Sequence, residues 1–387
     1  MSLRGAEFAI VASLLGQAAT MANARHARTL SFSGALERVS RESMSLQLAD
    51  GVSVDAAIPS AGNLSMKVLA VRYEFGDRLA IACEFLDEPV FDPHQGRYQV
   101  LLLKKLHYLG HASAEELSRL GASQPFGFNG KNNVLKGAPA LILPAQQPAA
   151  QRATTEEQSN LERARAVNLA YVHKMPNFIV DEITENYASA GGNPPRWEHQ
   201  YTVESEIVVI GGGDSRRNVR KNGQPLTGRG LPEFLIYGGH RASNIWHLFD
   251  EHCPNKFELA GSAEERGKHL LAYRVTSPGA CFSIQYGYQT YRPAFTGEAL
   301  VKDPGGRLTR FEYEAREFPA GFPLSYWKWE TSWDDVKIGD ASYLLPVSSD
   351  LTATYSGADP YPGHMTRMKR EYRNYRHFEA SSDVTFH

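Results

Sequence analysis

The stretch at residues 197–209, WEHQYTVESEIVV, decides the fold of this chain. Trp197, Tyr201, Val203, Ile207 and Val209 fall on one parity, with His199 and Ser205 among them. Glu198, Gln200, Thr202, Glu204 and Glu206 fall on the other. Side chains along a β-strand alternate between the two faces of a sheet, so the pattern predicts one face against a core and one in water. The alternation recurs further along: Leu271, Tyr273 and Val275; Ile284, Tyr286 and Tyr288; Phe311, Tyr313 and Ala315; Trp327, Trp329 and Trp333 against Lys328, Glu330 and Asp334. A last strand carries Tyr372, Phe378, Ala380, Val384 and Phe386. Turn chemistry separates the runs at residues 211–214 (GGGD), at Asn222-Gly223 and at residues 303–306 (DPGG). No strand–helix–strand alternation recurs, so the sheet is expected to be antiparallel.

Two helices accompany this sheet. The first has Thr154 or Thr155 as its cap and Glu156 and Glu157 in its first turn. Leu161, Ala164, Asn168, Tyr171 and Met175 then recur at helical spacing, and Pro176 ends it. The second spans residues 242–251 and puts Ile245, Trp246, Leu248 and Phe249 on one broad apolar face. Residues 155–387 therefore read as a large antiparallel sheet with helices on its apolar side.

Upstream, residues 29–103 show short alternating runs: Met44, Leu46 and Leu48; Val52, Val54, Ala56 and Ile58; Leu64, Met66 and Val68; Leu79, Ile81 and Cys83. With Asp50-Gly51 and Gly76-Asp77 as turns, they predict a small barrel, OB- or SH3-like in pattern. Residues 104–154 are a partly helical linker. Ser113 caps a short helix at 114–120, and PAQQPAAQRA at 144–153 lacks core-forming residues.

At 387 residues the chain suits two domains. Its 42% hydrophobic and 22% charged residues are those of a folded protein. A net charge of −2 offers no global field for nucleic acid, and no nucleic-acid partner is expected. Arg4, the apolar run 8–16 and Ala22-Asn23-Ala24 read as an export signal over residues 1–24. Periplasmic or secreted location follows as an expectation, with no transmembrane span in the mature chain. Of the cysteines Cys83, Cys253 and Cys281, the last two flank a predicted hairpin (257–263 with 268–276) and are the pair expected to form a disulfide. Three free thiols are the alternative.

Sequences that carry familiar chemistry are few. GGGDSRRNVRKNG, from residue 211, has neither GxGxxG nor GK[ST] spacing and reads as a hairpin turn. His240, His247, His252 and Cys253 lie close in sequence, yet match no compact zinc pattern. They are the place for a hydrolase-like site if the chain is an enzyme. No cofactor or metal is expected. RMKREYRNYRH at 367–377 is basic but has neutral surroundings, so it reads as a solvated strand. On that strand Arg376 shares parity with Tyr372 and Phe378, which predicts an arginine on the inner face. Trp246, Phe249, Tyr273, Tyr286, Phe311, Trp329 and Arg376 are thus the candidate cavity lining. A solid aromatic core is the alternative.

The starting helix, the broad antiparallel sheet, the helix inserted midway and the export signal together resemble the half-barrel of periplasmic lipoprotein carriers (LolA/LolB-like). The same fold occurs in some envelope-stress regulators. FTGEALVKDPGGRLTRFEYEA (295–315) and YRNYRHFEASSDVTF (372–386) are similar to segments of bacterial envelope proteins. The resemblance implies a non-enzymatic envelope protein holding a lipid or lipoprotein acyl chain between sheet and helices, or an envelope protein partner. The fold class expected is mainly β (α+β): a small N-terminal barrel followed by a large curved antiparallel sheet covered by helices.

Overall fold

The computed structural model describes residues 28–40, 43–59, 61–85, 90–92, 96–98, 101–122, 135–136, 156–173, 175–192, 194–210, 213–226, 241–251, 253–265, 267–279, 281–357 and 363–377. The chain divides into two compact units. One comprises residues 1–150, 231–238 and 280–292; the other comprises 151–230, 239–279 and 293–387. The export signal, the 144–153 linker, the helix caps at Thr154 and Thr155, His240, His252 and Phe378 onward lie outside the described residues.

In the first unit, β1 (Arg28–Val39), β2 (Ser43–Gln47) and β3 (Ser53–Ala57) form an antiparallel meander. Helix α1 (Met66–Arg72) follows, then β4 (Asp77–Phe85), the ribbon β5 (Val90–Asp92) and β6 (Gly96–Tyr98), and β7 (Leu101–His111). β4 pairs with β1, β7 pairs with β4, and Ala57 of β3 meets Leu102 of β7 in parallel. That last pairing closes β3-β2-β1-β4-β7 into a small barrel. Its interior holds Leu36, Met44, Leu46, Val54, Leu79 and Ile81, the apolar parity of each strand. Two expectations are corrected here. Leu64, Met66 and Val68 do not form a strand: residues 66–72 are helical, because that places Leu69 in the barrel core. The barrel also runs past Leu103, since β7 continues to His111 against β4. Helix α2 (Ala114–Ala122) starts with a reciprocal cap, in which Glu116 N–H donates to Ser113 Oγ and Ser113 N–H donates to Glu116 Oε2.

The second unit opens with α3 (Glu156–His173), which stops short of Pro176. Next come β8 (Phe178–Ser189), β9 (Glu198–Ile210), β10 (Gly213–Lys221) and β11 (Gln224–Pro225). Asn222 and Gly223 both have positive φ, 50° and 76°, as a two-residue hairpin turn requires. Helix α4 (Arg241–Phe249), β12 (Lys256–Glu265) and β13 (Lys268–Ser277) follow. The hairpin β14 (Ile284–Tyr286) and β15 (Gln289–Tyr291) then joins the barrel sheet of the first unit, where Gln289 and Thr290 pair with Val54 and Ser53. Tyr286 is therefore not on the large sheet. Its alternation is genuine, but alternation does not say which sheet a strand joins. Last are β16 (Phe295–Lys302), β17 (Leu308–Ala315), β18 (Leu324–Ile338), β19 (Ala341–Tyr355) and β20 (Met365–His377).

The large sheet has eleven strands in the order β11-β10-β9-β8-β20-β19-β18-β17-β16-β13-β12, every neighbour antiparallel. It is the curved, helix-covered sheet of a half-barrel. One face is wet and laced with cross-strand ion pairs such as Arg310–Glu298, Lys328–Glu312 and Arg367–Asp350. Helix α3 is fixed by Asn168, which is fully buried. Its Nδ2 donates to Gly306 O at 2.8 Å, and its Oδ1 accepts from Leu308 N at 3.0 Å. Gly306 sits at φ 73°, and a Cβ there would come within 3.1 Å of the Ala164 backbone, so the turn after β16 presses directly on the helix. Helix α4 packs through Phe249, whose ring stacks on Phe257 at 5.8 Å, and Phe257 meets Tyr273 edge-on.

Cys253 and Cys281 are disulfide-bonded, and Cys83 is a free, buried thiol inside the barrel. Burial pushes the Cys83 thiol up to about 12, so almost none of it is thiolate at pH 8. Iodoacetamide at pH 8 is expected to label no cysteine in the folded chain, one after unfolding without reductant, and three after unfolding with reductant. Intact mass reads each state, and rapid labelling of the folded chain would contradict this assignment.

Candidate functional site

The inner face of the large sheet has two halves of different chemistry. Across β13, β16, β17 and β18 it is aromatic. Tyr273, Phe295, Phe311, Tyr313, Trp327 and Trp329 are all buried. Phe295 and Tyr313 lie 5.1 Å apart, Phe311 and Tyr313 stack at 5.5 Å, and Trp327 meets Trp329 at 6.0 Å. Such pairs add to the area they bury. Gly297 makes room for this layer: a Cβ there would fall 3.0 Å from Tyr313 Cβ. Burial pushes the Tyr313 hydroxyl far above its ordinary range, so it stays neutral.

From β18 to β10 the same face turns polar. Thr331 of β18 lies opposite Ser349 of β19, and Ser349 opposite Arg370 of β20. Arg370 lies opposite Thr184 of β8, Tyr372 opposite Glu182, and Glu182 opposite Ser205 of β9. Arg216 of β10 reaches across to Glu182 and donates to its Oε1. Thr331, Ser349, Arg370, Tyr372, Glu182, Thr184, Ser205 and Arg216 thus form a row crossing six adjacent strands. The row is buried: Glu182 is 2% exposed and Arg370 5%. The Arg370 guanidinium lies 5.9 Å from the Trp329 ring centroid, which joins the polar row to the aromatic half. On its far side the row is bounded by an apolar cluster of Phe178, Val180, Ile207, Val209, Ile338 and Leu345.

Burying a charged pair in a sheet's inner face costs several kcal/mol per ion before attraction returns any of it. An ordinary core would place apolar residues here. The indole N–H groups of Trp329 and Trp333 and the Ser205 hydroxyl, all buried, find no partner among the described residues. Indole is a donor only, so two of these three groups call for an acceptor.

The sequence-predicted lining is distributed as follows. Phe249, Tyr273, Phe311 and Trp329 are buried in the second unit, and Trp246 is half-buried on α4. Tyr286 belongs to the barrel sheet, as described above. Arg376 is not on the inner face. Its side chain is 46% exposed and pairs with Asp181 at 2.8 Å and Glu206 at 2.9 Å. The cause is a bulge between Arg373 and Arg376, where Asn374 takes φ 56° and the parity of β20 inverts. The inner-face arginine of β20 is Arg370. Of the histidine cluster, His247 is half-buried on α4 and its carbonyl accepts from Asn255 Nδ2 at 2.7 Å. His240 and His252 lie outside the described residues.

In the first unit, Glu74, Asp77 and His111 offer ligand atoms within 4.8 Å of one another. Glu74 and Asp77 border a groove of about 790 Å³ also lined by Arg72, His107, Tyr108 and Lys136. Asp77 already holds His111 Nδ1 at 2.9 Å with one oxygen and accepts the Glu74 N–H at 2.9 Å with the other. That arrangement clasps the start of β4 to the end of β7. Within β1, burial raises the pKa of Glu37, opposed by Arg292 3.9 Å away and by a hydrogen bond from Ser53.

Two solved structures are similar to this chain. One is a LolA superfamily protein from Nitrosomonas europaea, 13% identical over 58% of this chain and 94% of that one, with a TM-score of 0.26. The other is a DUF1329 family protein from Desulfovibrio piger, 13% identical over 58% of this chain and 95% of that one, with a TM-score of 0.27. At such scores the half-barrel rests on the strand order and burial of this chain itself. No family model and no curated relative matches the sequence. Among the described residues no helix is long and apolar enough to cross a membrane.

Proposed function

We propose that the large sheet and its helices bind an amphiphile, a lipid or a protein-borne acyl chain, without catalysis, in an exported envelope protein. The observation that carries this reading is the divided inner face. An aromatic half suits a hydrocarbon chain, and the adjoining polar row suits the head or linkage that such a chain ends in. An apolar solid core would need neither Glu182 nor Arg370. The lining residues named from the sequence (Trp246, Phe249, Tyr273, Phe311 and Trp329) fit the tail end of such a ligand. The small barrel reads as OB-type, because α1 lies between its third and fourth strands and β3 meets β7 in parallel.

The test is native mass spectrometry of the full chain purified from its own envelope without detergent. Added masses that vanish on organic extraction are expected, and the extracted protein should take up a pyrene-labelled phospholipid. Bare protein in every preparation, with no uptake of the probe, would sink the reading.

A further inference from the structure

We propose that Glu74, Asp77 and His111 of the small barrel form a binding site for one divalent transition-metal ion of the zinc type. The site lies wholly in the first unit and does not depend on amphiphile binding by the large sheet.

The fold brings three donor groups to one point from two stretches of chain. Residues 74–77 make the tight turn into β4, where Asp77 N–H donates to Glu74 O at 3.1 Å. Gly76 takes φ 87° in that turn, and a Cβ on it would fall 2.2 Å from the Leu117 side chain. Asp77 is the strand partner of His111 at the end of β7, and Ala112 N–H donates to Gly76 O at 2.9 Å. One imidazole nitrogen and two carboxylate oxygens thus lie within 4.8 Å of one another. His111 Nδ1 stands 2.9 Å from Asp77 and 3.9 Å from Glu74. Zinc bonds of about 2.0–2.1 Å in a tetrahedron separate the ligand atoms by about 3.3–3.4 Å, which lies between these two distances. A hydrogen-bonded histidine needs only Asp77. At 3.9 Å Glu74 is too far to accept from Nδ1, so its carboxylate is placed there without serving that bond. A metal ion uses both carboxylates and takes the place of the proton that Nδ1 shares with Asp77. Glu74 is half-exposed and free to close the gap, while Asp77 is buried. The second oxygen of Asp77 is fixed by the Glu74 N–H, the kind of outer contact that orients a ligating carboxylate. An imidazole in the set favours zinc and its neighbours, whereas calcium and magnesium call for six or so oxygens. Three protein ligands leave one tetrahedral position for water, and both carboxylate residues border the groove that His107 and Lys136 also line.

The experiment uses the full chain, stripped with EDTA and exchanged into chelator-free buffer. Calorimetry follows its titration with zinc chloride, magnesium chloride and calcium chloride in turn. One zinc ion per chain is expected to bind with a Kd of about 10 μM or tighter, and magnesium and calcium about a hundredfold more weakly or less. Glu74→Gln and His111→Gln should each weaken zinc binding by about tenfold or more, since even the outer contacts of a metal site are worth that much. His247→Ala, on α4 of the other unit, should leave the affinity unchanged. Circular dichroism establishes that each variant is folded. Glu74→Gln alters a half-exposed side chain and keeps the test decisive if His111→Gln does not fold. No zinc uptake at about 100 μM overturns the proposal. So does an affinity unmoved in a folded ligand variant, one that follows His247 instead, or magnesium and calcium bound as tightly as zinc.

Discussion

Replacing Glu182 with Gln is expected to lower the unfolding free energy of the large sheet by about 3–5 kcal/mol, the usual cost of removing one partner from a buried ion pair. Glu182 sits at 2% exposure and accepts from Arg216, whose own side chain is only 10% exposed. Without the carboxylate, that guanidinium keeps its charge and loses an ion-pair partner at a site where little of it meets water. The double variant Glu182→Leu with Arg216→Met should regain most of the loss, because apolar replacement of a whole buried pair is often neutral or better. Urea denaturation of the three proteins measures both effects. A loss of under about 1 kcal/mol in the single variant would place the pair among solvated surface bridges and contradict a buried polar row.

The second large effect is expected at Asn168. Truncation to Ala strands the Gly306 carbonyl and the Leu308 N–H, both of which now meet the Asn168 side chain. Each buried group left unpaired costs about 1–3 kcal/mol, so the sum for the two is about 2–6 kcal/mol. Asn168→Asp is the informative companion: it keeps the acceptor for Leu308 N but sets a buried carboxylate oxygen against the Gly306 and Ala164 carbonyls, so it should lower the thermal midpoint at least as far as Asn168→Ala. A midpoint for Asn168→Ala equal to that of the parent would show that α3 is not held by this turn.

How much of this was legible in the sequence varies by element. Within β9 (residues 203–207), β17 (311–315) and β18 (327–333) buried and less buried side chains alternate, so their inner residues were readable from parity. β20 was not, because the bulge at Asn374 inverts the pattern, and nothing in RMKREYRNYRH marks where it falls. The Ile284–Tyr291 hairpin alternates correctly, but its partner β3 lies far upstream, and pairing is a long-range choice that periodicity does not encode. Residues 66–72 lost to the opposite error: three alternate apolar side chains fit a strand until Leu69 is seen to fill the barrel.

The polar row was missed for a different reason. Its members come from six strands, one or two from each, and no local window holds more than a fragment. One signal was available. In β8, FIVDEITENYAS, Phe178 and Val180 define the inward parity, and the next residues on that parity are Glu182, Thr184 and Asn186. Ser205 stood in the inward set of β9 for the same reason. A strand whose buried parity turns from apolar to ionisable midway is a signature worth looking for.

The position of β20 has a further consequence, one of timing. It is the last described strand in sequence, yet it lies inside the sheet between β8 and β19. Asn374 and Arg376 reach Asp181 across 193 and 195 residues. Until β20 inserts, β8 and β19 have open edges and Glu182 lacks its neighbour Tyr372. Such distant contacts close late, since the entropy of ordering the chain between them must be overcome first. A chain emerging residue by residue thus completes the inner face of its large sheet only after Met365–His377 has been made.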